Sequence, residues 1–422
     1  MIGNRRGVGA RIWGLLFSWL LCLLSWQLAP AVCPEYPELI ENGGYGVGVV
    51  AAPPLAEGCN LDQAYIPASI IKIITAQAAF RILGPSHRFG TEFHLDRSQN
   101  LYIRGSGDPL LISEEVRRVV GRLQAHGLRR VQGLFIDDSL LAVEGSPPGS
   151  GNSANAYDAP VSATGVNFNT LPIRVDGQGR VSSAEPQTPL LPLMQAVAPG
   201  LAPGRHRLNI TGRGGVPGKQ AARHSAELFA AIMAEAGIAV QGPLGERPVP
   251  AGATLLLVSH NPRTLEEVIQ AMLRYSSNYI ANQLFLACGA KRFGSPATWE
   301  KGAAAVAELL DAELSPAART ATVVVDGAGL SRENRVTVRS MLEILRLFAG
   351  HGSLLPRQRN VRAKTGTLEG VYNYAGYLGD GSPYVILLNQ EKNQRARVLD
   401  RLCRQHPGLV HSGKRAGLIG GK

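Results

Sequence analysis

The sequence predicts an α/β fold of the segregated, α+β kind: an antiparallel sheet flanked by helices, interrupted after its first helix by a β-rich insertion. Three observations predict it. Helical patterning occurs at residues 69–83, 264–287, 299–310, 338–348 and about 394–405. The stretch 362–389 reads as strand, hairpin and strand. Between the helical stretches, residues 86–258 break into short runs of β-forming residues separated by loops. A chain of 422 residues, 45% hydrophobic and 18% charged, has material for two or three globular domains.

At the N-terminus, Arg5, Arg6 and Arg11 precede an apolar run over 12–28 and then Ala29-Pro30-Ala31. A basic start, an apolar stretch and a small-x-small site make residues 1–31 a cleavable signal peptide, and place the mature protein in the periplasm. The run is short for a membrane anchor and is broken by Gly14, Ser18, Ser25 and Gln27. Cys33 follows Pro30-Ala31-Val32, which lacks the small residue that a lipoprotein signal puts directly before its cysteine. Once Cys22 leaves with the signal, Cys33, Cys59, Cys288 and Cys403 remain, with three possible pairings. Cys33 with Cys59 is the expectation.

The elements follow in order. Residues 45–52 alternate Gly with Val and read as a strand; Pro53-Pro54 follow rather than a helix start, which excludes a phosphate loop. Residues 69–83 form a helix bounded by Pro67 and Gly84-Pro85. The insertion 86–258, expected to form two smaller domains, has strands at 100–104, 131–136 and 170–175 and long loops at 145–157 and 198–218. Helices are expected at 264–287, 299–310 and 338–348. Strands follow at 362–367, 372–378 and 384–389, with Gly379-Asp380-Gly381 as a turn, and a last helix spans about 394–405. Residues 32–85 and 259–406 therefore make one domain from both ends of the chain. The tail 407–422 is basic, and could touch an anionic membrane surface weakly; its Gly413, Gly417, Gly420 and Gly421 offer no packing face, so a solvated end is the simpler reading.

Three short motifs carry chemistry. Ser69 and Lys72 lie three apart at a helix start, so the amine can reach the hydroxyl. A serine needs an adjacent base to become nucleophilic, and lysine serves only when burial or neighbouring positive charge lowers its pKa. The chain has 8 Lys against 35 Arg, so a lysine among Ile70, Ile71, Ile73 and Ile74 calls for a chemical reason. Ser276-Ser277-Asn278 lies in the helical stretch; Ser-x-Asn recurs at Ser98, Ser150, Ser153 and Ser259, so context rather than the tripeptide selects Ser276 and Asn278. Lys364-Thr365-Gly366-Thr367 lies on a strand, where a cation and hydroxyls suit a carboxylate and glycine admits a close ligand backbone; a lysine-protected strand edge is the plainer alternative for this motif alone.

In this order the motifs are the signature set of serine β-lactamases and penicillin-binding proteins. With Gly105-Ser106-Gly107-Asp108-Pro109, Tyr157-Asp158-Ala159-Pro160, Asn167-Phe168-Asn169-Thr170 and Asp326-Gly327-Ala328-Gly329-Leu330-Ser331-Arg332, the chain resembles the DacB-like D-Ala-D-Ala carboxypeptidases/endopeptidases of the low-molecular-mass class C penicillin-binding proteins. The resemblance implies a β-lactamase/transpeptidase-like fold and acylation of Ser69 by peptidoglycan peptides or, as inhibitors, β-lactams. It implies Lys72 as base, Ser276 as proton relay, and Asn278 as holder of Lys72 and of the substrate amide. Lys364, Thr365, Gly366 and Thr367 would bind the terminal carboxylate, with the Ser69 and Thr367 N–H groups as oxyanion hole. Arg332 would face the peptide side chain. Two departures stand out: Ser277 replaces a common Asp, and residues 151–155 lack the acidic residue that relatives often carry before Tyr157.

Two competing readings share the fold, a β-lactamase and a non-catalytic wall-binding protein; the long insertion speaks against the first and three intact motifs against the second. No cofactor is expected: the nine His show no metal-ligand spacing, and no Gly-x-Ser-x-Gly elbow occurs. Nucleic-acid binding would rest on charge alone.

Overall fold

In the computed structural model, which describes residues 32–48, 56–143, 145–151, 153–212, 216–358 and 360–405, the two ends of the chain meet in one six-stranded antiparallel sheet. Its order is Arg357–Gln358, Val361–Leu368, Val371–Tyr377, Pro383–Leu388, Gly43–Gly48, Ala56–Cys59. Pro383–Leu388 is buried along its whole length, as a central strand covered on both faces must be. The N-terminal strand closes on it, with Tyr45 opposite Ile386, and the Cys33–Cys59 disulfide holds that corner at a Cα separation of 5.9 Å. Cys288 and Cys403 do not pair with each other: Cys288 is buried in the helical core and Cys403 lies on the last helix. The proposed signal peptide and basic tail lie outside the described residues.

Helices cover one face of this sheet. The first begins as a 3-10 turn, Ala68–Ile71, and continues as Lys72–Ile82, in which every residue from Lys72 to Phe80 is buried. A helix apolar all round is a core helix. It packs against Leu265–Tyr275, Asn278–Phe293 and Val338–Leu347, and Trp299–Glu313 lies outside Asn278–Phe293. On the other face the last helix, Arg395–Gln405, which carries Cys403, buries Val398, Leu399 and Leu402 against Tyr36, Leu39 and Ile40.

The expected continuous helix over 264–287 is instead two. Leu265–Tyr275 opens with a Thr264–Glu267 capping box and stops at Ser276, which is left-handed (φ 52°, ψ 36°). Ser277 then caps Asn278–Phe293, its hydroxyl accepting from the Ile280 N–H at 3.3 Å. No Gly or Pro marks the break.

The insertion adds helices to the expected strands. A mixed five-stranded sheet, ordered Leu244–Glu246, Gly133–Asp137, Asn100–Gly105, Gly90–Leu95, Thr254–His260, carries Ser113–Ala125 and Pro217–Glu235, and a three-stranded sheet centred on Thr170–Val175 shares their core. Its entry and exit are tied where Asn261 Nδ2 donates to Asp108 at 2.8 Å and Asn261 N–H to Phe89 O at 2.8 Å. Its loop at 153–168 reaches back onto Asn278–Phe293: Gln283 donates to Ser162 O at 2.7 Å, and Tyr279 and Leu286 pack on Ala159 and Val161. That loop becomes a wall of the candidate site.

Candidate active site

The 3-10 turn presents Ser69, and the first residue of the helix proper is Lys72, 0% exposed. Lys72 Nζ is 2.9 Å from Ser69 Oγ, 2.8 Å from Asn278 Oδ1 and 2.6 Å from Ala328 O. Burial first, and the positive charge of Lys364 second, hold its pKa well below the usual lysine range, against the opposing pull of Asp326. A neutral amine has two N–H donors and one lone pair. Ala328 O and Asn278 Oδ1 can only accept, so a neutral Lys72 would spend both donors there and leave its lone pair for Ser69 Oγ, the one neighbour of the three able to donate.

Ala328 O is placed by a loop folded around one carboxylate. Asp326 accepts from the N–H groups of Ala328, Gly329, Leu330 and Ser331 at 2.7–3.1 Å and from Asn334 Nδ2 at 2.7 Å. Thr75 Oγ1 donates to Gly327 O at 2.7 Å, fixing the loop to the Lys72 helix. Gly329 has φ +81° and a Cβ there would lie 2.0 Å from Ala68 O, so only glycine fits. The sequence quotes this run through Arg332 but does not reveal that Asp326 organises it.

The helix break sets the second motif. With Ser276 left-handed and Asn278 opening the next helix, Asn278 Oδ1 meets Lys72 while Asn278 Nδ2 donates to Tyr157 O at 3.0 Å. Ser276 Oγ accepts from Lys364 Nζ at 2.8 Å. Lys364, 2% exposed, also donates to Thr365 O at 2.9 Å, and burial, then the Arg395 charge, lower its pKa to about 8. Gly366 abuts the nucleophile turn, where a Cβ would lie 2.5 Å from Pro67 O. Ser69, Lys72, Asn278 and, through Lys364, Ser276 thus form one cluster, flanked by Thr365 and the exposed Thr367.

Arg332 stands at the rim, Nη2 donating to Glu369 O at 2.5 Å at the tip of the hairpin after Thr367. Two neighbours were absent from the sequence reading of the site. Tyr157, 57% exposed, sits in a motif that was noted without a role. Arg395 had no signal at all; its Nη1 donates to Thr367 Oγ1 at 2.7 Å and to Gly366 O at 3.0 Å. Beside the cluster opens a cavity of about 770 Å³ between the two parts of the molecule, lined among others by Tyr157, Phe168, Arg274, Tyr275, Ser276 and Asn278. Among the described residues no group of three metal-binding side chains occurs, and no helix is long and apolar enough to cross a membrane.

The family model described as D-Ala-D-Ala carboxypeptidase 3 (S13) matches residues 43–198 and 215–356. That is more than half of the chain; it includes Ser69, Lys72, Ser276, Asn278 and Arg332 and stops short of Lys364. The chain is 28% identical over 386 residues to the D-alanyl-D-alanine carboxypeptidase of Actinomadura sp. (strain R39), covering 74% of this chain and 70% of the relative. It is 26% identical over 382 residues to the D-alanyl-D-alanine carboxypeptidase DacB of Haemophilus influenzae, covering 74% and 77%. The crystal structure of that organism's penicillin binding protein 4 (dacB) superposes with a TM-score of 0.70 at 20% identity, over 87% of this chain and 96% of that one; it has also been solved in complex with a β-lactam. A predatory peptidoglycan endopeptidase from Bdellovibrio bacteriovorus shares the fold at a TM-score of 0.50 and 15% identity, over 90% and 94%. The chain is a serine-type D-Ala-D-Ala peptidase and belongs to the D-Ala-D-Ala carboxypeptidase 3 (S13) family.

Proposed function

We propose that Ser69 is the acylated nucleophile and Lys72 its base; the single observation that carries this is the buried Lys72 Nζ held 2.9 Å from Ser69 Oγ with its other two neighbours able only to accept. Ser69 Oγ bonds to the carbonyl carbon of the penultimate D-Ala while its proton passes to Lys72 Nζ. The Ser69 and Thr367 N–H groups receive the oxyanion. The C–N bond then breaks, and the leaving amine takes the proton from Lys72 through Ser276, whose hydroxyl is held by Lys364, which leaves Lys72 neutral again. Water attacks the ester, Lys72 again accepting a proton, and Ser69 is regenerated. Asn278 keeps Lys72 in place. Lys364, Thr365, Gly366 and Thr367 take the terminal carboxylate, and Arg332 meets the peptide side chain. Ser277 fits where relatives carry Asp because the middle residue serves as a helix cap.

β-Lactams acylate the same serine in this reading. Intact mass after benzylpenicillin treatment tests it: one adduct on wild type and none on Ser69→Ala is expected. Antibiotic recovered intact with no adduct would sink the proposal, and antibiotic consumed with no adduct would favour the β-lactamase.

Cleavage of cross-links is favoured by the cavity beside Ser276, which at about 770 Å³ matches pockets for ligands far larger than one released D-Ala. Ala271 lies in its wall. Ala271→Trp should weaken turnover of cross-linked dimeric muropeptides about tenfold or more while D-Ala release from a pentapeptide stays within about twofold, one buried indole being ample to exclude a peptide. Export to the periplasm agrees with the pattern of residues 1–31 and with the Cys33–Cys59 disulfide.

A further inference from the structure

We infer that Arg395 is a specificity residue of the carboxylate site: it orients the Thr367 hydroxyl outward and supplies fixed positive charge that selects peptides ending in a free carboxylate over neutral ones. The inference rests on reading Lys364–Thr367 as the carboxylate-binding edge.

The placement comes from the strand register. Thr365 lies opposite Tyr374 in the antiparallel pair, so Thr365, Thr367 and Tyr374 share one face of the sheet. The last helix begins over that face. Its first residue, Arg395, sets its guanidinium 4.9 Å from the centre of the Tyr374 ring, and Nη1 reaches Thr367 Oγ1 at 2.7 Å and Gly366 O at 3.0 Å.

Thr367 Oγ1 accepts from Arg395, so its own proton must point elsewhere, and among the described residues no protein acceptor takes it. The hydroxyl is exposed. A hydroxyl whose lone pair is engaged by a cation is a polarised donor, suited to an anionic acceptor. Among the described residues no carboxylate pairs with Arg395, and its charge acts on Lys364 as a like charge. Asp326, the acid that acts on Lys72, is already saturated by five donors. An anion bound at Thr367 would offset the repulsion between Lys364 and Arg395.

The plainer alternative is that Arg395 merely pins the last helix to the sheet. Steady-state kinetics on an acyl-D-Ala-D-Ala peptide and on the same peptide ending in a carboxamide separate the two. Arg395→Met keeps the stem over Tyr374 and removes the charge; Arg395→Lys keeps the charge and loses the planar fork. We expect Arg395→Met to raise KM for the free acid about tenfold or more with kcat within about twofold, and to leave the carboxamide unchanged. Arg395→Lys should recover part of the loss, and added salt should erode the wild-type preference. An equal loss on both peptides, a loss confined to kcat, or no loss at all would overturn the inference. A wild type that does not prefer the free acid would overturn the reading of the Lys364–Thr367 edge itself.

Discussion

Two buried lysines lie in the cluster around Ser69, and the proposed mechanism asks opposite things of them. In the proposed mechanism Lys72 takes the Ser69 proton as a neutral amine, and burial, with the Lys364 charge second, lowers its pKa in that direction. Lys364, as the proposed carboxylate binder, acts as a cation, and with a pKa of about 8 it is mostly protonated at neutral pH. The sign follows: below about 8 the cation is present, and above it the charge is lost. KM for free-acid peptides should therefore climb as pH rises through about 8, while KM for the carboxamide stays flat; parallel profiles would exclude Lys364 from carboxylate binding. These residues were legible because lysine is scarce in an arginine-rich chain, and a lysine among isoleucines or beside Thr-Gly-Thr demands a chemical reason. Arg395 is one of 35 arginines and reaches the site only through the docking of the last helix onto the sheet. No spacing along the chain encodes that.

At the scale of the element, the break at Ser276 decides the geometry. The apolar positions Val268, Ile269, Met272 and Leu273, and then Ile280, Ala281 and Leu284, keep helical spacing across it, and the sequence accordingly reads as one helix. A left-handed non-glycine residue costs roughly 1–2 kcal/mol. Here that cost is offset by new caps: the Ser276 and Ser277 N–H groups both close on Met272 O, and the Ser277 hydroxyl caps the second helix. Ser277→Ala should lower stability by about 1 kcal/mol and slow penicillin acylation, because the cap holds Asn278 at the helix start. Ser277→Asp should retain both. Equal behaviour of the two variants in thermal unfolding would show that the cap is not what the middle position supplies. The helix Ser113–Ala125 was missed for a different reason: Val116, Val119, Val120 and Leu123 make a clear stripe, but three of the four are valine, which weights local propensity toward strand.

At the scale of the whole molecule, the insertion stands on a core of its own and can be challenged separately. Its helix Pro217–Glu235 carries His224, 0% exposed, and neither ring nitrogen has a protein partner among the described residues. Burial lowers its pKa to about 3. Since the folded value is depressed, the unfolded chain binds the proton first, and stability is lost as pH falls from about 6.5 toward 3. Asp108 and Asp138 act in the opposite sense. Burial raises each to about 6, so the folded state takes up their protons first and gains stability as pH falls through that value toward the ordinary carboxylate range. The wild-type profile is therefore a compensated sum, and the His224 contribution emerges only by difference. Replacing both ring nitrogens by carbon also removes two unsatisfied buried polar groups, which at neutral pH is neutral or stabilising. His224→Leu against wild type should therefore show a stability difference that widens by about 1.4 kcal/mol per pH unit below about 6.5, within the order-of-magnitude reach of one titrating group. Urea unfolding of the two proteins at pH 7.5, 6, 5 and 4 reads it directly, and a pH-independent difference would mean that His224 already has a proton partner in the native state.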